Sequence, residues 1–170
     1  MPAPIIHLVC GSTGAGKTTY ADGLAQTLGG VRFSIDEWMA GLFWMDSPQP
    51  PDPAWAMERV SRCTERIWAT AAQVAGRGLA CVLDLGFSTR EQRARIAALA
   101  QAAGLGVRLH VVEVGAEERW RRVQARDRDR LETRQLTFDI TREMFDFVER
   151  LWEPPDAAEL AALDGRRIGG

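Results

Sequence analysis

Residues Gly11-Ser-Thr-Gly-Ala-Gly16-Lys17-Thr18 constrain this chain more tightly than any other stretch. They satisfy G-x-x-x-x-G-K-[ST] at every fixed position, directly after an apolar run, Ile5–Cys10, and directly before a helical pattern. The glycines let the backbone curl so that successive N–H groups converge on phosphate oxygens, and the helix that follows adds the positive end of its dipole. Gly11, Ser12, Thr13, Gly14, Ala15, Gly16, Lys17, Thr18 and Thr19 are therefore the candidate nucleotide contacts. Within them Lys17 brings a compact ammonium to the β- and γ-phosphates, and the Thr18 hydroxyl is placed to ligate Mg²⁺. Composition sharpens the point. Of 21 basic residues, 20 are arginine, and the one lysine is Lys17. A bias toward arginine explains the majority, while the exception falls where a thin, flexible ammonium fits and a planar guanidinium fits poorly.

Strand-like and helix-like stretches alternate along the rest of the chain, which predicts a parallel α/β sheet covered on both faces. Strands are expected at Ile5–Cys10, Val31–Ile35, Ala80–Leu85 and Val107–Val114, and helices at Lys17–Leu28, Ala54–Ala75, Thr89–Ala103 and Ala116–Leu131. Ser47-Pro-Gln-Pro-Pro-Asp-Pro53 can continue neither helix nor central strand, so residues 37–53 read as a surface excursion near the carboxyl ends of the strands. Beyond residue 131 a helix is expected over Thr141–Leu151, capped by Asp139 or Thr141 and halted by Pro154-Pro155. A short helix and an edge strand near Arg166–Ile168 would follow. The expected architecture is one domain over residues 1–170, a three-layer α/β fold with a mostly parallel sheet of four to five strands.

The bulk properties exclude several function classes. No apolar run approaches the roughly 18–20 residues of a membrane span, and Met1-Pro-Ala-Pro has no basic leader character. Cys10, Cys63 and Cys81 are widely spaced among apolar neighbours and read as small core residues, which suits a reducing cytoplasm. His7 and His110 lie inside strand-like runs and read as structural. A net charge of -2 argues against nucleic acid as a partner.

In an open parallel sheet, ligands bind beyond the carboxyl ends of the strands, where Asp36 and Asp84 are expected. Phosphoryl transfer needs one acid to orient or deprotonate the attacking hydroxyl and another to hold Mg²⁺ or its waters. Asp36 suits the first role and Asp84 the second, although Asp36 could instead cap a helix and Asp84 could be a turn residue before Gly86. Glu117 to Arg130 is rich in arginine. Glu117–Arg121 and Glu118–Arg122 have the favourable i,i+4 order, so Arg119, Arg121 and Arg122 read as a solvated helix face. Arg126 and Arg130 stand further on, where a lid over ATP would begin, and their guanidinium forks suit phosphate oxygens.

These stretches resemble the small P-loop kinases of the zeta-toxin, chloramphenicol phosphotransferase, gluconate kinase and polynucleotide 5′-kinase type, a group that includes many uncharacterised bacterial ATP-binding proteins. The resemblance rests on Gly11–Thr18, Phe33–Glu37, Val82–Arg90, Arg119–Arg130 and Phe138–Glu159. It implies that Asp36 faces the acceptor hydroxyl, that Asp84 is the acid of the third strand, and that Arg126 and Arg130 belong to a lid over about 119–137, with Asp127 where the family usually has Asn. The expectation is a cytoplasmic, ATP- and Mg²⁺-dependent phosphotransferase, monomer or homodimer, acting on a hydroxyl of a small molecule. The acceptor pocket would be formed by Asp36, the Trp38–Trp44 stretch and Arg90 or Arg93. The competing expectations are a polynucleotide 5′-hydroxyl kinase and a non-catalytic nucleotide-binding module.

Overall fold

The computed structural model describes residues 5–133 and 141–169, and within these it leaves out the side chains of residues 126–133 and of Met144. Five strands, β1 (Ile5–Cys10), β2 (Val31–Ser34), β3 (Cys81–Asp84), β4 (Gly106–Glu113) and β5 (Arg166–Gly169), form one sheet in the order β2-β3-β1-β4-β5. All four pairings are parallel; Leu8 on β1 lies opposite Leu83 of β3 and Leu109 of β4. The helices are α1 (Lys17–Leu28), α2 (Ile35–Phe43), α3 (Pro53–Ala75), α4 (Arg90–Ala102), α5 (Ala116–Thr133), α6 (Arg142–Leu151) and α7 (Ala157–Ala162).

Strand alternation divides the core into two layers. Ile6, Leu8, Cys81, Leu83, Leu109 and Val111 face one side, where Cys63, Ile67 and Ala71 of α3 and Ile96 and Ala100 of α4 pack on them. Val9, Val82 and Val112 face the other side and meet Ala21 and Ala25 of α1. All three cysteines are buried and free, as their apolar neighbours predict. Among the described residues no helix is long and apolar enough to cross a membrane.

Most elements lie within two residues of their expected bounds, and two departures have a clear physical cause. The second strand stops at Ser34, not Ile35, because the Ser34 side chain accepts the Glu37 N–H and starts α2. The excursion expected over 37–53 is helical through Phe43, continues as a 3-10 turn over Trp44–Asp46, and becomes irregular only in the proline cluster. Asp52 then caps α3 by accepting from Ala54, with Pro53 opening the helix. The tail forms the expected short helix and edge strand, and Thr141 immediately precedes α6, its carbonyl accepting from the Phe145 N–H. Asp139 lies outside the described residues.

On the α1 side, His7 and His110 sit on neighbouring strands, with His7 Nδ1 2.9 Å from His110 Nε2 and the Tyr20 hydroxyl 2.7 Å from His110 Nδ1. A consistent proton arrangement has Tyr20 donating to His110 and His110 donating to His7. Both imidazoles are pushed down to about 4, chiefly by burial, with Arg108 adding to the shift of His7, and His7 then Arg108 adding to that of His110. The folded values lie below the ordinary 6.5, so the unfolded chain takes up these protons first as pH falls. Stability present above pH 6.5 is therefore lost progressively toward pH 4. Thermal unfolding followed across that window should show a falling midpoint, and replacing both residues (His7→Gln with His110→Gln) should flatten the slope.

Candidate functional site

The site begins where β1 runs out. Cys10 ends the strand, the loop curls over residues 11–16, and α1 starts at Lys17 with Gly16 in a left-handed conformation. Close approach dictates two of the loop glycines. A Cβ on Gly11 would lie 2.5 Å from the Val112 carbonyl oxygen, and one on Gly14 would lie 2.6 Å from the Arg119 carbonyl oxygen, with φ +78° besides. The loop is thus pressed against β4 and α5 at positions where any side chain would displace backbone.

Beyond the strand ends lies an open cleft of about 1150 Å³. Gly11, Ser12, Thr13, Gly14, Gly16, Lys17, Thr18 and Thr19 line it, as do Asp36 and Asp84. Ala15 does not; its side chain is buried with the α1 cluster and its N–H donates to the Ser12 carbonyl. Alternation explains Asp84, which shares a face with Val82 and so meets α1, where the Thr18 hydroxyl donates to its Oδ2 at 3.1 Å. Asp36 is not at a strand end as read from sequence; it sits in the first turn of α2, one residue past the strand-capped start. The Lys17 ammonium donates to the Ser12 carbonyl at 3.0 Å.

The charges of this wall act on one another. Burial pushes the Lys17 ammonium below its ordinary value, against the pull of Asp84 and Asp36. Burial likewise raises the Asp84 carboxyl, opposed by the Thr18 hydrogen bond and by Lys17, while Asp36 adds to the rise. Arg32 on β2 backs the same acid: its Nη1 lies 3.5 Å from Asp84 Oδ2, while the rest of the guanidinium pairs with Asp22 and Glu37. That Nη1 is buried without a hydrogen bond, the one such side-chain atom among the described residues. Thr18 and Asp84 together present a hydroxyl and a carboxylate, hard oxygen donors of the kind Mg²⁺ takes, so the residues present fit that ion.

The arginine stretch behaves differently from its local pattern. Arg119 is not on a solvated face but buried, donating to the carbonyls of Val114 (2.8 Å) and Thr13 (3.3 Å) and in bidentate fashion to Glu149 of α6 (2.7 and 2.8 Å). Arg122 pairs with Glu118 as the spacing predicts, yet it also lines the cleft beside Gly16. Arg121 is exposed and pairs with Glu118 rather than Glu117. The backbone of α5 carries Arg126 and Arg130, whose side chains lie outside the described residues, as do residues 134–137 of the expected lid.

Of the expected acceptor residues, Phe43 and Trp44 line the cleft and Trp38 packs against the core instead. Arg93 and Arg90 do not reach it. Arg93 is fully buried, forked onto Glu159 of α7 at 2.6 and 3.0 Å and donating to the Phe87 carbonyl; Arg90 pairs with Asp156 at the surface. Sequence reasoning missed Trp55 at the start of α3, which lines the cleft with Phe43 and Trp44 and meets Phe43 edge to face. It also missed Arg32, whose one signal is a charge inside an otherwise strand-like run.

A G-x-x-x-x-G-K-T loop between the first strand and first helix of a β2-β3-β1-β4-β5 parallel sheet defines a P-loop α/β nucleotide-binding fold. The chain belongs to the AAA domain family, whose sequence pattern matches residues 6–151. Among solved structures, a candidate kinase from Chloroflexus aurantiacus J-10-fl is 19% identical with a TM-score of 0.72, over 98% of this chain and 87% of that one. The APS kinase CysC of Mycobacterium tuberculosis, solved with AMPPNP and APS, is 16% identical with a TM-score of 0.65, over 99% and 90%. A chain of the PezAT toxin–antitoxin system of Streptococcus pneumoniae is 15% identical with a TM-score of 0.69, over 99% and 69%. At these identities the likeness is one of fold. No curated protein sequence matches the chain.

Arg119 ties the loop, the exit of β4 and α6 together, so truncating it strands partners in a mostly buried place. Arg119→Met should cost about 2–3 kcal/mol, since Glu149 is partly hydrated. The thermal midpoint should drop by about 5–10 °C. Arg121→Met, on the exposed side of the same helix, should leave the midpoint within about 1 °C.

Proposed function

We propose that the chain is an ATP- and Mg²⁺-dependent phosphotransferase that moves the γ-phosphate of ATP to a hydroxyl of a small molecule. The observation that carries this reading is the convergence of Lys17, Thr18, Asp84 and Asp36 on one cleft beyond the strand ends. Two fold relatives that are kinases or candidate kinases, one of them solved with AMPPNP beside a second ligand, support it.

In this reading the loop amides of residues 11–16 and the N-terminus of α1 hold the phosphates. Lys17 turns from the Ser12 carbonyl to the β- and γ-oxygens, and Thr19 contacts the α-phosphate. Thr18 and Asp84 hold Mg²⁺, which when bound neutralises phosphate charge. Asp36 orients the acceptor hydroxyl and takes its proton as the new O–P bond forms and the bond to the ADP oxygen breaks. Arg122 stands beside Gly16 and joins Arg126 and Arg130 as candidate donors to the charge that spreads over the γ-oxygens. The whole chain acts as one domain with residues 119–137 as its lid, in the cytoplasm, as monomer or homodimer, without nucleic acid or membrane as partner.

Two substitutions separate binding from chemistry. Asp36→Asn should leave ATP affinity within about twofold and cut turnover by about 10²-fold or more. Lys17→Arg should reduce turnover by at least about 10²-fold, because the broad guanidinium cannot follow the ammonium under the loop. Both are read by ADP release in an acceptor screen over antibiotics, nucleosides, sugars and 5′-hydroxyl oligonucleotides. If no acceptor stimulates ADP release from the parent, the chain is a binding module instead.

A further inference from the structure

The two ends of the cleft differ in charge and in surface. Its cations among the described residues, Lys17 and Arg122, both stand at the phosphate loop. Away from that loop, Met39, Phe43, Trp44 and Trp55 of α2, the 3-10 turn and the start of α3 wall the cleft with the Asp52 carboxylate, while Asp36 stands between, near enough to act on Lys17 and Asp84. Asp52 is held in place because its carboxylate caps α3.

The aromatic wall is braced from behind. The Arg59 guanidinium lies 3.9 Å from the centre of the Trp55 ring and 5.8 Å from that of Phe43, and it donates to the Trp55 carbonyl at 3.0 Å. Trp55 and Phe43 meet edge to face at 87°. Arg59 is not among the residues that line the cleft, and its charge is shared with Glu58 at 3.6 Å. A wall stacked in this way loses little further freedom when a flat ligand covers it.

We propose that the acceptor end selects an alcohol that carries a flat apolar face and no negative charge. This rests on the phosphotransferase reading and names its substrate class. A flat face finds Trp44, Phe43 and Trp55. An anionic group there meets Asp36 and Asp52 beside apolar walls that, among the described residues, expose no cation to the cleft, since Arg59 lies behind the rings and is shared with Glu58; this disfavours phosphorylated sugars, nucleotides and polynucleotides. A cationic group is favoured by the same two carboxylates. Trp55, stacked on Arg59, is the specificity-determining contact of the wall.

The test uses the full chain and three matched probes: 4-methylbenzyl alcohol, 4-(aminomethyl)benzyl alcohol and 4-(hydroxymethyl)benzoate. Binding of each is measured by calorimetry with AMPPNP present, and ADP release from ATP is followed separately. The benzoate should bind about tenfold or more weakly than the other two, with the amine at least as tight as the neutral alcohol. Trp55→Leu should weaken the neutral and cationic probes about fivefold or more while AMPPNP affinity holds. Asp52→Asn, which keeps the helix cap, should narrow the amine-to-benzoate ratio by about threefold. Benzoate binding as tight as the amine, insensitivity of all probes to Trp55→Leu, or no binding of any probe at millimolar concentration would overturn the proposal. If the binding order holds but neither these alcohols nor any acceptor of the wider screen releases ADP, the phosphotransferase reading fails and the selectivity of the cleft stands. ADP release with anionic acceptors preferred would sink the selectivity alone.

Discussion

The Arg119 guanidinium is the contact on which the shape of the phosphate loop depends. Its N–H groups reach the Thr13 carbonyl of the loop, the Val114 carbonyl at the exit of β4, and both oxygens of Glu149 on α6. The backbone of the same residue also meets the loop, since Gly14 comes so near the Arg119 carbonyl that no other residue type fits. Side chain and main chain of one position thus hold the loop from two directions. A row of inward-pointing amides repels itself when empty, and it binds an anion well only if it need not reorganise at that moment. A rigid brace from three elements supplies that preorganisation, and α5, which carries the expected lid arginines, starts from the same brace.

Local signals wrote much of this fold, and long-range ones wrote the rest. The strand β1 and the helix α1 have the bounds their apolar run and phosphate motif predict. The α2 segment escaped because Gly41 and the proline cluster mask a periodicity that Ile35, Trp38, Met39 and Phe43 do carry. Helix spacing gives Arg121 and Arg122 an acid four residues back and Arg119 none, but it does not show that Arg119 is buried, because its partners, the carbonyls of Thr13 and Val114 and the Glu149 carboxylate thirty residues on, belong to other elements. The pairing of His7 with His110 likewise depends on β1 and β4 being neighbours, a fact of sheet order and not of either strand. Arg93 and Arg90 follow the strand that bears Asp84, so a place in the cleft was a fair expectation; the buried Glu159 carboxylate draws Arg93 to the opposite layer instead.

The strand ends hold their charges in tension. Burial disfavours both the Lys17 ammonium and the Asp84 carboxylate, and each is kept charged partly by the other. Arg32 leans on Asp84 from the sheet side with one N–H that no oxygen properly satisfies. A half-compensated set of this kind is costly for an empty fold and is the sort of arrangement found at functional sites. Its cost is offset in part by the full set of partners Arg119 and Arg93 find elsewhere.

That tension also explains why the two ends of the cleft are built from different materials. At the phosphate end, charge must be delivered to a highly charged ligand, so Lys17 and Arg122 stand where the loop amides already lower the local potential barrier to an anion. A second anion bound a few ångströms away would compete for the same cations and oppose the field of Asp36 and Asp84. An aromatic wall avoids that competition, because it draws a ligand by area and shape without perturbing the balance at the strand ends. On the proposed phosphotransferase reading, the lone lysine and the braced Trp55 are complementary answers to one problem: how to hold two ligands side by side without their competing for the same cations.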